Sequence, residues 1–325
     1  MTSTALIILN YNNWEDTVNC IESVEEHNTA PIKYIVVDNG SNRYEAVEKL
    51  EKYFQSKFNG PYCRIKDEDK LQKTVLPRLT FLVSKTNDGY AQGNNKGLRL
   101  AFMDKEIEFV MVLNNDILFV EDIIPDLIRH QQTITDCAII SPVLYKKGLK
   151  SLDYNCARKN HTEWEIILTY LFLYKDFFGY ISKHVNKRLL LKHNPSLMSL
   201  QYFEIELPSG SCMLIKKALV QEIGGFDPNT FLYFEENILY KKIQGLGMKN
   251  YLVPSLRCIH LGASSTSKSS SSFIAKKGLH SVEYYLKTYC RLSKTQSILL
   301  SLAHFLFMVK IELIKVFREN NVKKK

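Results

Sequence analysis

The sequence predicts an α/β protein with a doubly wound, mostly parallel sheet flanked by helices. Short apolar runs rich in strand-forming residues recur between residues 5 and 113, and segments with helical periodicity lie between them. Small polar residues follow several runs directly, as Asn114-Asn115-Asp116 follows the run that ends at Leu113. Buried strands that end in polar residues are how α/β proteins present chemistry at the carboxyl edge of a sheet.

Each element of the first half can be assigned in turn. The predicted order is strand 5–9, helix 15–27, strand 34–37, helix 44–54, strand 80–83, helix 93–104 and strand 109–113. The alternation implies right-handed crossovers and therefore parallel strands. Residues 55–78 are polar and charged, interrupt this rhythm, and are predicted to form an inserted surface loop.

The second half has a weaker pattern, above all between residues 145 and 205. Trp164 to Tyr180 is aromatic and apolar at roughly helical spacing. This favours a helix packed on the domain, and leaves open a wall of a binding site or a membrane contact. A Ser-rich run at 264–272 predicts a mobile loop, and residues 279–319 are predicted to be helical.

Composition narrows the class of protein. The chain has 325 residues, of which 45% are apolar and 24% charged, as in folded globular proteins. The net charge of +9 suits a nucleic acid, an anionic membrane or a phosphorylated substrate equally well. Seven scattered cysteines without a Cys-x-x-Cys pair predict reduced, packed thiols in a cytosolic compartment. The N-terminus lacks a basic region and a cleavage site, which predicts that the chain is not exported.

The apolar stretch from Ser297 to Val309 has lysines and arginines around it, among them Lys294, Lys310 and the terminal Lys323-Lys324-Lys325. At 13 residues it is predicted to be too short to span a bilayer. Such a helix can lie among anionic headgroups. It can equally dock on the rest of the protein with a solvated basic tail, and the sequence leaves both readings open.

Three segments of the first half carry polar residues with chemical potential. Asp38 follows the second strand and could accept hydrogen bonds from a ribose or a base, or could simply serve a turn. The glycines and asparagines of Asn87 to Gly97 would leave backbone N–H groups free near a helix N-terminus, which suits a diphosphate. Asp116 offers hard oxygen ligands to a divalent cation, which would neutralise that diphosphate.

The second half adds two acids and a histidine. Residues 207–215 have the pattern of a loop into a strand, and residues 223–228 that of a turn. Glu235 and Glu236 follow an aromatic run at a predicted helix start, where acids gain from the helix dipole. His260 follows a short strand-like run, a position at which a histidine is usually structural.

In combination these segments resemble one family. In chain order they are Ile-Leu-Asn-Tyr-Asn from Ile8, Val-Val-Asp-Asn-Gly-Ser from Val36, Asn-x-Gly-x-Ala-x-Gly-Asn-Asn-x-Gly from Asn87, Leu-Asn-Asn-Asp from Leu113, Gly-Gly-Phe-Asp from Gly224, Tyr-Phe-Glu-Glu from Tyr233, and then His260. The set is similar to glycosyltransferase family 2, on the GT-A fold. That fold is an α/β, Rossmann-like, mostly parallel sheet flanked by helices, with C-terminal helices added here. The resemblance is nearest to bacterial rhamnosyltransferases of cell-surface polysaccharide synthesis.

The resemblance implies a role for each matching position. Asn12 and Asp38 match positions that contact the base and the ribose of the nucleotide, and Gly210 and Ser211 match an acceptor-side loop. The implied nucleotide-sugar-binding residues are Asn12, Asp38, Asn87, Gly89, Asn94, Asn95, Asn115, Gly210 and Ser211.

The resemblance also implies the metal ligands and the base. Asp116 and His260 match the metal site, and Glu236, with Glu235 beside it, matches the catalytic base. The family's Asp-x-Asp motif begins with Asn114 here, which leaves Asp116 as the main ligand. Glu236 stands where many members have Asp, so its carboxylate reaches one methylene further. Lysine also replaces the arginine that relatives often carry at position 242.

The implied activity is an inverting transfer of a sugar from a nucleotide-diphospho-sugar to a glycan or lipid-linked acceptor, assisted by Mg2+ or Mn2+. The candidate donor is dTDP-rhamnose, with a UDP-hexose or a galactofuranose donor as alternatives. The resemblance assigns residues 1–120 to a nucleotide-binding half, 121–265 to an acceptor half and 266–325 to a C-terminal appendage. The cysteines and the apolar stretch with its basic surroundings predict a cytoplasmic protein held peripherally at the cytoplasmic face of the membrane, without a nucleic-acid partner; a homo-oligomer is left open.

Three other classes remain as alternatives. A nucleotidyltransferase would carry a basic, Gly-rich loop after the first strand, where this chain has Asn10-Tyr11-Asn12-Asn13. A nucleic-acid-binding protein would cluster basic residues with aromatics on one face, whereas here they concentrate in the C-terminal helices. A catalytically weak family member that acts as a scaffold is suggested by Asn114 and by the glutamates at 235 and 236.

Overall fold

The computed structural model describes residues 3–58, 63–66, 75–149, 151–171, 188–262 and 271–322. Their strands are β1 (Ser3–Asn10), β2 (Ile32–Asp38), β3 (Cys63–Lys66), β4 (Leu79–Val83), β5 (Ile107–Asn114), β6 (Ile117–Phe119), β7 (Cys137–Lys146), β8 (Ala157–Arg158), β9 (Phe203–Ile205), β10 (Leu207–Pro208), β11 (Cys212–Lys216) and β12 (Lys249–His260). Their α-helices are α1 (Trp14–His27), α2 (Tyr44–Lys57), α3 (Gly89–Met103), α4 (Ile124–Thr133), α5 (Glu163–Leu171), α6 (Leu190–His193), α7 (Lys217–Glu222), α8 (Glu235–Gly245), α9 (Ser271–Tyr289) and α10 (Lys294–Val322).

Ten of these strands form one mixed sheet in the order β3-β4-β2-β1-β5-β11-β7-β12-β6, with β9 paired to β12. The first five are parallel to one another, which the alternation of strands and helices predicts for all of them except β3. Strand β11 is antiparallel to both β5 and β7, whereas β12 runs parallel to β7. The predicted α/β class is therefore confirmed, and β11 lies in the half of the chain whose sequence pattern is weaker.

Helices cover both faces of the sheet because successive residues of a strand point to opposite sides. On β1, Leu6 and Ile8 pack into the layer that contains α1, α2 and α4. Ala5 and Ile7 pack into the layer that contains α3, α7 and α8. All four side chains are fully buried, which is why residues 5–9 form a continuous apolar run without alternation.

Helix α3 begins earlier than the sequence predicts. Gly89 is its first residue, so most of the predicted Gly/Asn-rich loop is helical. A Cβ on Gly97 would lie 2.5 Å from Ile7 Cγ2, and one on Gly93 would lie 2.6 Å from Leu9 Cδ1. Close packing of α3 on β1 therefore overrides the low helix propensity of glycine. The expectation of free loop N–H groups is wrong for residues 93–97, which lie inside the helix.

The predicted surface loop at 55–78 contains the end of α2 and the edge strand β3, which pairs in parallel with β4. The loop prediction is therefore wrong at 63–66, where only Ile65 of the four residues is buried and the apolar signal is too short to detect. Helix α5 confirms the start of the predicted helix at 164–180. Parts of three predicted features lie outside the described residues: 59–62 and 67–74 of the predicted loop, 172–180 of the aromatic segment, and 264–270 of the Ser-rich run.

The C-terminal helices pack on the sheet domain. Leu300, Ala303, Phe307 and Ile311 of α10 are buried in a cluster that also contains residues of α5, α8 and α9. The predicted helical region 279–319 is confirmed as two helices that are separated by a short break. Among the described parts of the chain, Lys294–Leu313 of α10 is long and apolar enough to cross a membrane by length and composition. The prediction that this apolar segment is too short to span a bilayer is therefore wrong.

Candidate active site

The predicted strand-end residues meet at one edge of the sheet. Asn10 pairs in register with Asp38, and β5 ends beside them at Asn114. Asn114 donates its backbone N–H to the carbonyl of Ser211, 2.8 Å away. The loop between β10 and β11 is thereby brought to the edge at which the parallel strands end, the usual position of a ligand in an α/β sheet.

Asp38 is fully buried, and its carboxylate is held by the protein itself. It accepts hydrogen bonds from Asn10 Nδ2 at 2.7 Å, from Ser41 Oγ at 2.6 Å and from the Ser41 N–H at 2.9 Å. Burial raises the pKa of Asp38, and these hydrogen bonds oppose the rise. Asn12 has a positive φ of 56°, and its Oδ1 accepts from two backbone N–H groups of the β2–α2 loop. Asp38 and Asn12 therefore fix the two loops that leave β1 and β2.

The predicted asparagines of the α3 segment are bonded mainly to backbone. Asn87 Oδ1 accepts from the N–H of Gly89 at 3.0 Å, and Asn94 Nδ2 donates to the carbonyl four residues earlier at 2.9 Å. Asn95 bonds twice to the backbone of Phe226, accepting at 2.9 Å and donating at 2.8 Å. These amides hold α3 and the turn before α8 together beside the sheet edge.

The Gly-Gly-Phe-Asp turn is held from two further sides. Lys242 Nζ donates to the carbonyls of Ile223 and Gly225 at 3.1 and 3.0 Å. Asp227 accepts from the hydroxyl of Tyr284 on α9 at 3.0 Å. The first C-terminal helix is thus tied directly to the border of the site.

Asn115 points into the protein. Its Nδ2 donates to the carbonyl of Asn13 and to Thr17 Oγ1, both at 3.0 Å, which ties the β5–β6 turn to α1. Asp116 differs, because its Oδ1 is buried without a hydrogen-bond partner in the part of the chain that the structure describes. Of the two residues, Asp116 is the one with an unsatisfied acceptor.

Asp116, His260 and Asp153 form an array in which each ring nitrogen of His260 faces one carboxylate. Strand β6 pairs antiparallel with β12, and this pairing brings Asp116 next to His260. His260 Nε2 lies 3.5 Å from Asp116 Oδ2, and His260 Nδ1 lies 2.8 Å from Asp153 Oδ2. Burial lowers the pKa of His260, but the hydrogen bonds and charges of the two carboxylates outweigh burial and raise it to about 9.

This array fits a divalent cation at the end occupied by Asp116. A carboxylate with an orphaned oxygen is a hard ligand, and an adjacent imidazole nitrogen is a frequent one. Asp153 bonds the far nitrogen of His260, as outer partners of metal-binding histidines do. No cluster of three or more His, Cys, Asp or Glu residues suited to a metal occurs within the described ranges. The described residues would therefore supply few of the ligands of such a cation.

Glu236 meets the sheet edge from the N-terminus of α8. Tyr233 and Phe234, immediately before the helix, have positive φ values of 70° and 69°. Two consecutive left-handed residues other than glycine are strained and persist only where the surrounding structure holds them. Glu236 Oε1 accepts from the N–H of Gly210 at 3.1 Å. A Cβ on Gly210 would lie 2.9 Å from this oxygen, so only glycine leaves the carboxylate in place.

Glu235 is placed differently from its neighbour. It is 3% exposed, and its Oε1 has no hydrogen-bond partner among the residues described. Burial, followed by repulsion from Glu236, raises the pKa of Glu235 to about 8. Glu236 instead lines a cavity of about 780 Å³ and lies 3.6 Å from Arg158 Nη2. Cavities of this size accommodate small-molecule ligands.

Comparison with known proteins agrees with this geometry. The profile described as Glycosyl transferase family 2 matches residues 5–224, more than half of the chain. The chain belongs to glycosyltransferase family 2.

Three similar proteins illustrate the relationship. The low-salt glycan biosynthesis hexosyltransferase Agl10 of Haloferax volcanii is 24% identical over 233 residues, 71% of this chain and 58% of that protein. An N-acetylglucosaminyl-diphospho-decaprenol L-rhamnosyltransferase of Mycobacterium tuberculosis is 34% identical over 67 residues, 21% of this chain and 22% of that protein. The crystal structure of GalNAc-T7 with UDP, GalNAc and Mn2+ has a TM-score of 0.62 at 14% identity, covering 88% of this chain and 48% of that one. The chain thus spans 58% or less of the length of each.

These matches confirm the predicted family and the predicted fold. Both named relatives are sugar transferases, and the chain is a glycosyltransferase by family. The likeness to GalNAc-T7 shows the fold alone, because the identity is low. The roles of the individual site residues and the boundaries at 120 and 265 stay predictions.

Three residues of the candidate site were not predicted from the sequence. Asp153 and Arg158 lie in the irregular stretch 145–205, where no motif marks them. Tyr90, whose hydroxyl donates to the carbonyl of Gly210, does have a signal. It is an aromatic residue beside the first glycine of a family motif, a position that places it at the start of α3.

Proposed function

We propose that this family 2 glycosyltransferase moves a sugar, with inversion, from a nucleotide-diphospho-sugar to an acceptor hydroxyl. The observation that carries the proposal is the convergence of Asp116 and Glu236 on one loop. Glu236 Oε1 accepts from the Gly210 N–H. The next residue, Ser211, bonds through its carbonyl to Asn114, two residues before Asp116. A cation-binding acid and a carboxylate base on either side of one loop suit displacement at an anomeric carbon.

On the donor side, Asp116 and His260 would hold Mg2+ or Mn2+. Such a cation, when bound, supplies charge neutralisation for the leaving diphosphate. Asp153 keeps His260 oriented through the far ring nitrogen. The loops fixed by Asn12 and Asp38 would border the base and the ribose.

On the acceptor side, Glu236 accepts the proton of the attacking hydroxyl. The hydroxyl oxygen bonds the anomeric carbon from the face opposite the diphosphate, whose bond to that carbon breaks. The Gly210 N–H and the Arg158 guanidinium keep the carboxylate of Glu236 aimed into the cavity. Glu235 has a pKa near 8 and is therefore mostly protonated at neutral pH, which makes it the weaker candidate for the base.

The names of the relatives support a proposal for the donor and the acceptor. We propose a hexose or deoxyhexose donor, with dTDP-rhamnose foremost and a UDP-hexose or galactofuranose donor as alternatives. The Haloferax relative is named as a hexosyltransferase of glycan biosynthesis, and the mycobacterial one as an L-rhamnosyltransferase acting on a diphospho-decaprenol-linked sugar. A glycan or lipid-linked acceptor in cell-surface polysaccharide synthesis is consistent with both.

We propose peripheral attachment to the cytoplasmic face of a membrane through α10. One side of this helix carries an exposed apolar stripe: Ile298, Leu302, Phe305, Val309 and Leu313. The other side is buried in the protein, so the helix is better placed to lie in the membrane interface than to cross it. Exposed Lys287, Arg291 and Lys294 near its start supply positive charge toward an anionic leaflet.

The decisive experiment is a screen of UDP-, dTDP- and GDP-sugars with and without Mn2+. We expect one nucleotide class to raise the melting temperature only with metal, and to release nucleoside diphosphate. Glu236→Gln should keep the thermal shift and lose the release. A protein that no donor stabilises and that hydrolyses none would reject the activity and favour the scaffold alternative that Asn114 suggests.

A further inference from the structure

We propose that the cavity in front of Glu236 binds an oxyanion of the acceptor, a phosphate or a carboxylate, between Arg158 and Arg188. The inference rests on the proposed sugar transfer, because the anion would belong to the molecule whose hydroxyl meets Glu236. It predicts that the acceptor is negatively charged and that this charge binds between the two arginines.

Backbone pairing brings the cations together. Arg158 forms an antiparallel bridge with Leu189, and the N–H of Lys159 donates to the carbonyl of Arg188 at 2.9 Å. The side chains of Arg158, Lys159 and Arg188 all line the cavity. Glu236 is the one acidic side chain among the described lining residues, so the cavity carries a net positive charge.

Each arginine retains an unsatisfied donor. The Nε of Arg158 and the Nε of Arg188 are buried and have no hydrogen-bond partner within the described part of the chain. Among the described residues, Arg158 Nη2 makes only long contacts, 3.5 Å to the Pro208 carbonyl and 3.6 Å to Glu236. Because buried donors without a partner are costly and a guanidinium fork matches phosphate oxygens, an oxyanion is the ligand that these groups favour.

Contacts with neighbouring residues hold Arg188 in position. Its guanidinium bonds the carboxylate of Glu165 and the carbonyl of Asn160. His161, also on the cavity wall, is in the same positive field: burial lowers its pKa to about 4, and Arg188 adds to this effect. His161 is therefore neutral at pH 7 and can donate a hydrogen bond, while the arginines supply the charge.

The rest of the wall indicates what carries the anion. Ile166, Leu189 and Leu207 line the same cavity. A free anion gains nothing from such apolar surface, whereas an amphiphile does. The oxyanion could be the diphosphate of a lipid-linked acceptor or the acidic group of a glycan, and the apolar wall favours the first.

The test measures binding of acceptor-like anions without any donor. Full-length protein would be titrated calorimetrically in EDTA, so that a metal-assisted diphosphate site takes up no probe. Farnesyl diphosphate, farnesol and glucuronic acid serve as probes. We expect farnesyl diphosphate to bind and farnesol not to bind. Binding of glucuronic acid instead would keep the anion site and assign it to an acidic glycan.

Variants then locate the site. Arg158→Gln should weaken binding of farnesyl diphosphate by about tenfold, the value of one hydrogen bond to a charged group. Arg158→Lys should retain part of the affinity, because it keeps the charge and loses the fork. Arg129→Gln is the matched control, since it removes one charge from an exposed arginine on α4 that pairs with Asp126.

Three results would overturn the inference: no binding of either anion by the wild type, unchanged binding in Arg158→Gln, or an equal loss in Arg129→Gln. Binding by Arg188→Gln is a second test of the site. If loss of the Glu165 contact unfolds this variant, the result for Arg158→Gln alone decides whether the inference holds. Transfer activity without anion binding would reject the subsite and leave the proposed function intact. Anion binding without any transfer would reject the proposed function and, with it, the acceptor role of the anion.

Discussion

Two adjacent glutamates at the start of α8 have opposite environments, and single substitutions should separate their roles. Glu236→Gln should lower kcat by about 100-fold or more, because the general base is lost while the donor site is intact. Glu235→Gln should stay near wild type at neutral pH, since the buried acid is already mostly protonated. Steady-state kinetics with the donor found by the screen gives the comparison. An active Glu236→Gln beside a dead Glu235→Gln would shift the base by one residue.

The raised pKa of Glu235 also couples protonation to folding. Its pKa is about 8 in the folded protein against an ordinary value of 4.5, so the folded state binds this proton more tightly. The resulting stabilisation is complete below the ordinary pKa and is lost as pH rises through about 8. The melting temperature of Glu235→Gln, relative to wild type, should therefore rise between about pH 5 and about pH 9. Parallel melting curves at the two pH values would contradict a buried, protonated Glu235.

Asp116 and Asp153 should differ in how they affect the metal. Asp116→Ala should abolish divalent-dependent binding of the nucleoside diphosphate, because Asp116 is the acid with an orphaned oxygen. Asp153→Asn should weaken it by about 10- to 100-fold, the usual effect of an outer partner of a metal ligand. Asp126→Asn, an exposed acid on α4, is the control. Nucleotide binding titrated with Mn2+ measures all three, and activity that is undiminished in excess EDTA would exclude the metal role.

Single site residues could be predicted from the sequence where a recognisable motif contains them. Asp116, Glu236 and His260 stand at strand or helix ends that the sequence identifies, and the structure brings Asp116 to His260. Asp153 and Arg158 could not be predicted, because their positions depend on how an irregular stretch folds back over β12 and β10.

At the scale of elements, tertiary packing determines the secondary structure in places where the intrinsic propensity of the residues predicts something else. The parallel strands of the first half were predictable where each is buried on both sides and gives a continuous apolar run, and the crossover helices were predictable from their helical spacing. The start of α3 was mispredicted because its glycines suggest a loop, whereas their role is close approach to β1. Strand β11 runs antiparallel to β5, a direction that its short apolar run does not reveal.

The packing of α3 on β1 gives a prediction with an internal control. Gly97→Ala should destabilise the fold by about 1–3 kcal/mol, because the added methyl overlaps the buried branched side chain of Ile7. Gly245→Ala, in α8, meets no atom within 4 Å and should be neutral or stabilising by up to about 1 kcal/mol. Urea denaturation of both variants measures the difference. Equal midpoints would show that α3 can move away from the sheet without cost.

At the scale of the whole molecule, α10 packs on the sheet domain with one face and exposes apolar side chains on the other. Its inner face completes a hydrophobic cluster with Ile167 of α5 and Leu286 of α9. Truncation after Ser293 would therefore uncover buried apolar surface and should lower solubility. Removal of the whole helix cannot separate a membrane role from a structural one, whereas substitution within the exposed stripe can.

The last prediction therefore replaces two side chains of the apolar stripe. Ile298 and Phe305 are 69% and 62% exposed, so Ile298→Gln with Phe305→Gln should leave the fold intact and weaken sedimentation with vesicles containing phosphatidylglycerol. Each nearby Lys or Arg could add about 1 kcal/mol on an anionic leaflet, so high salt should weaken the wild type as well. Leu246→Gln, an exposed leucine at the end of α8, is the control. If wild type and double variant sediment equally at low salt, the stripe does not contact lipid, and α10 serves only to pack on the catalytic domain.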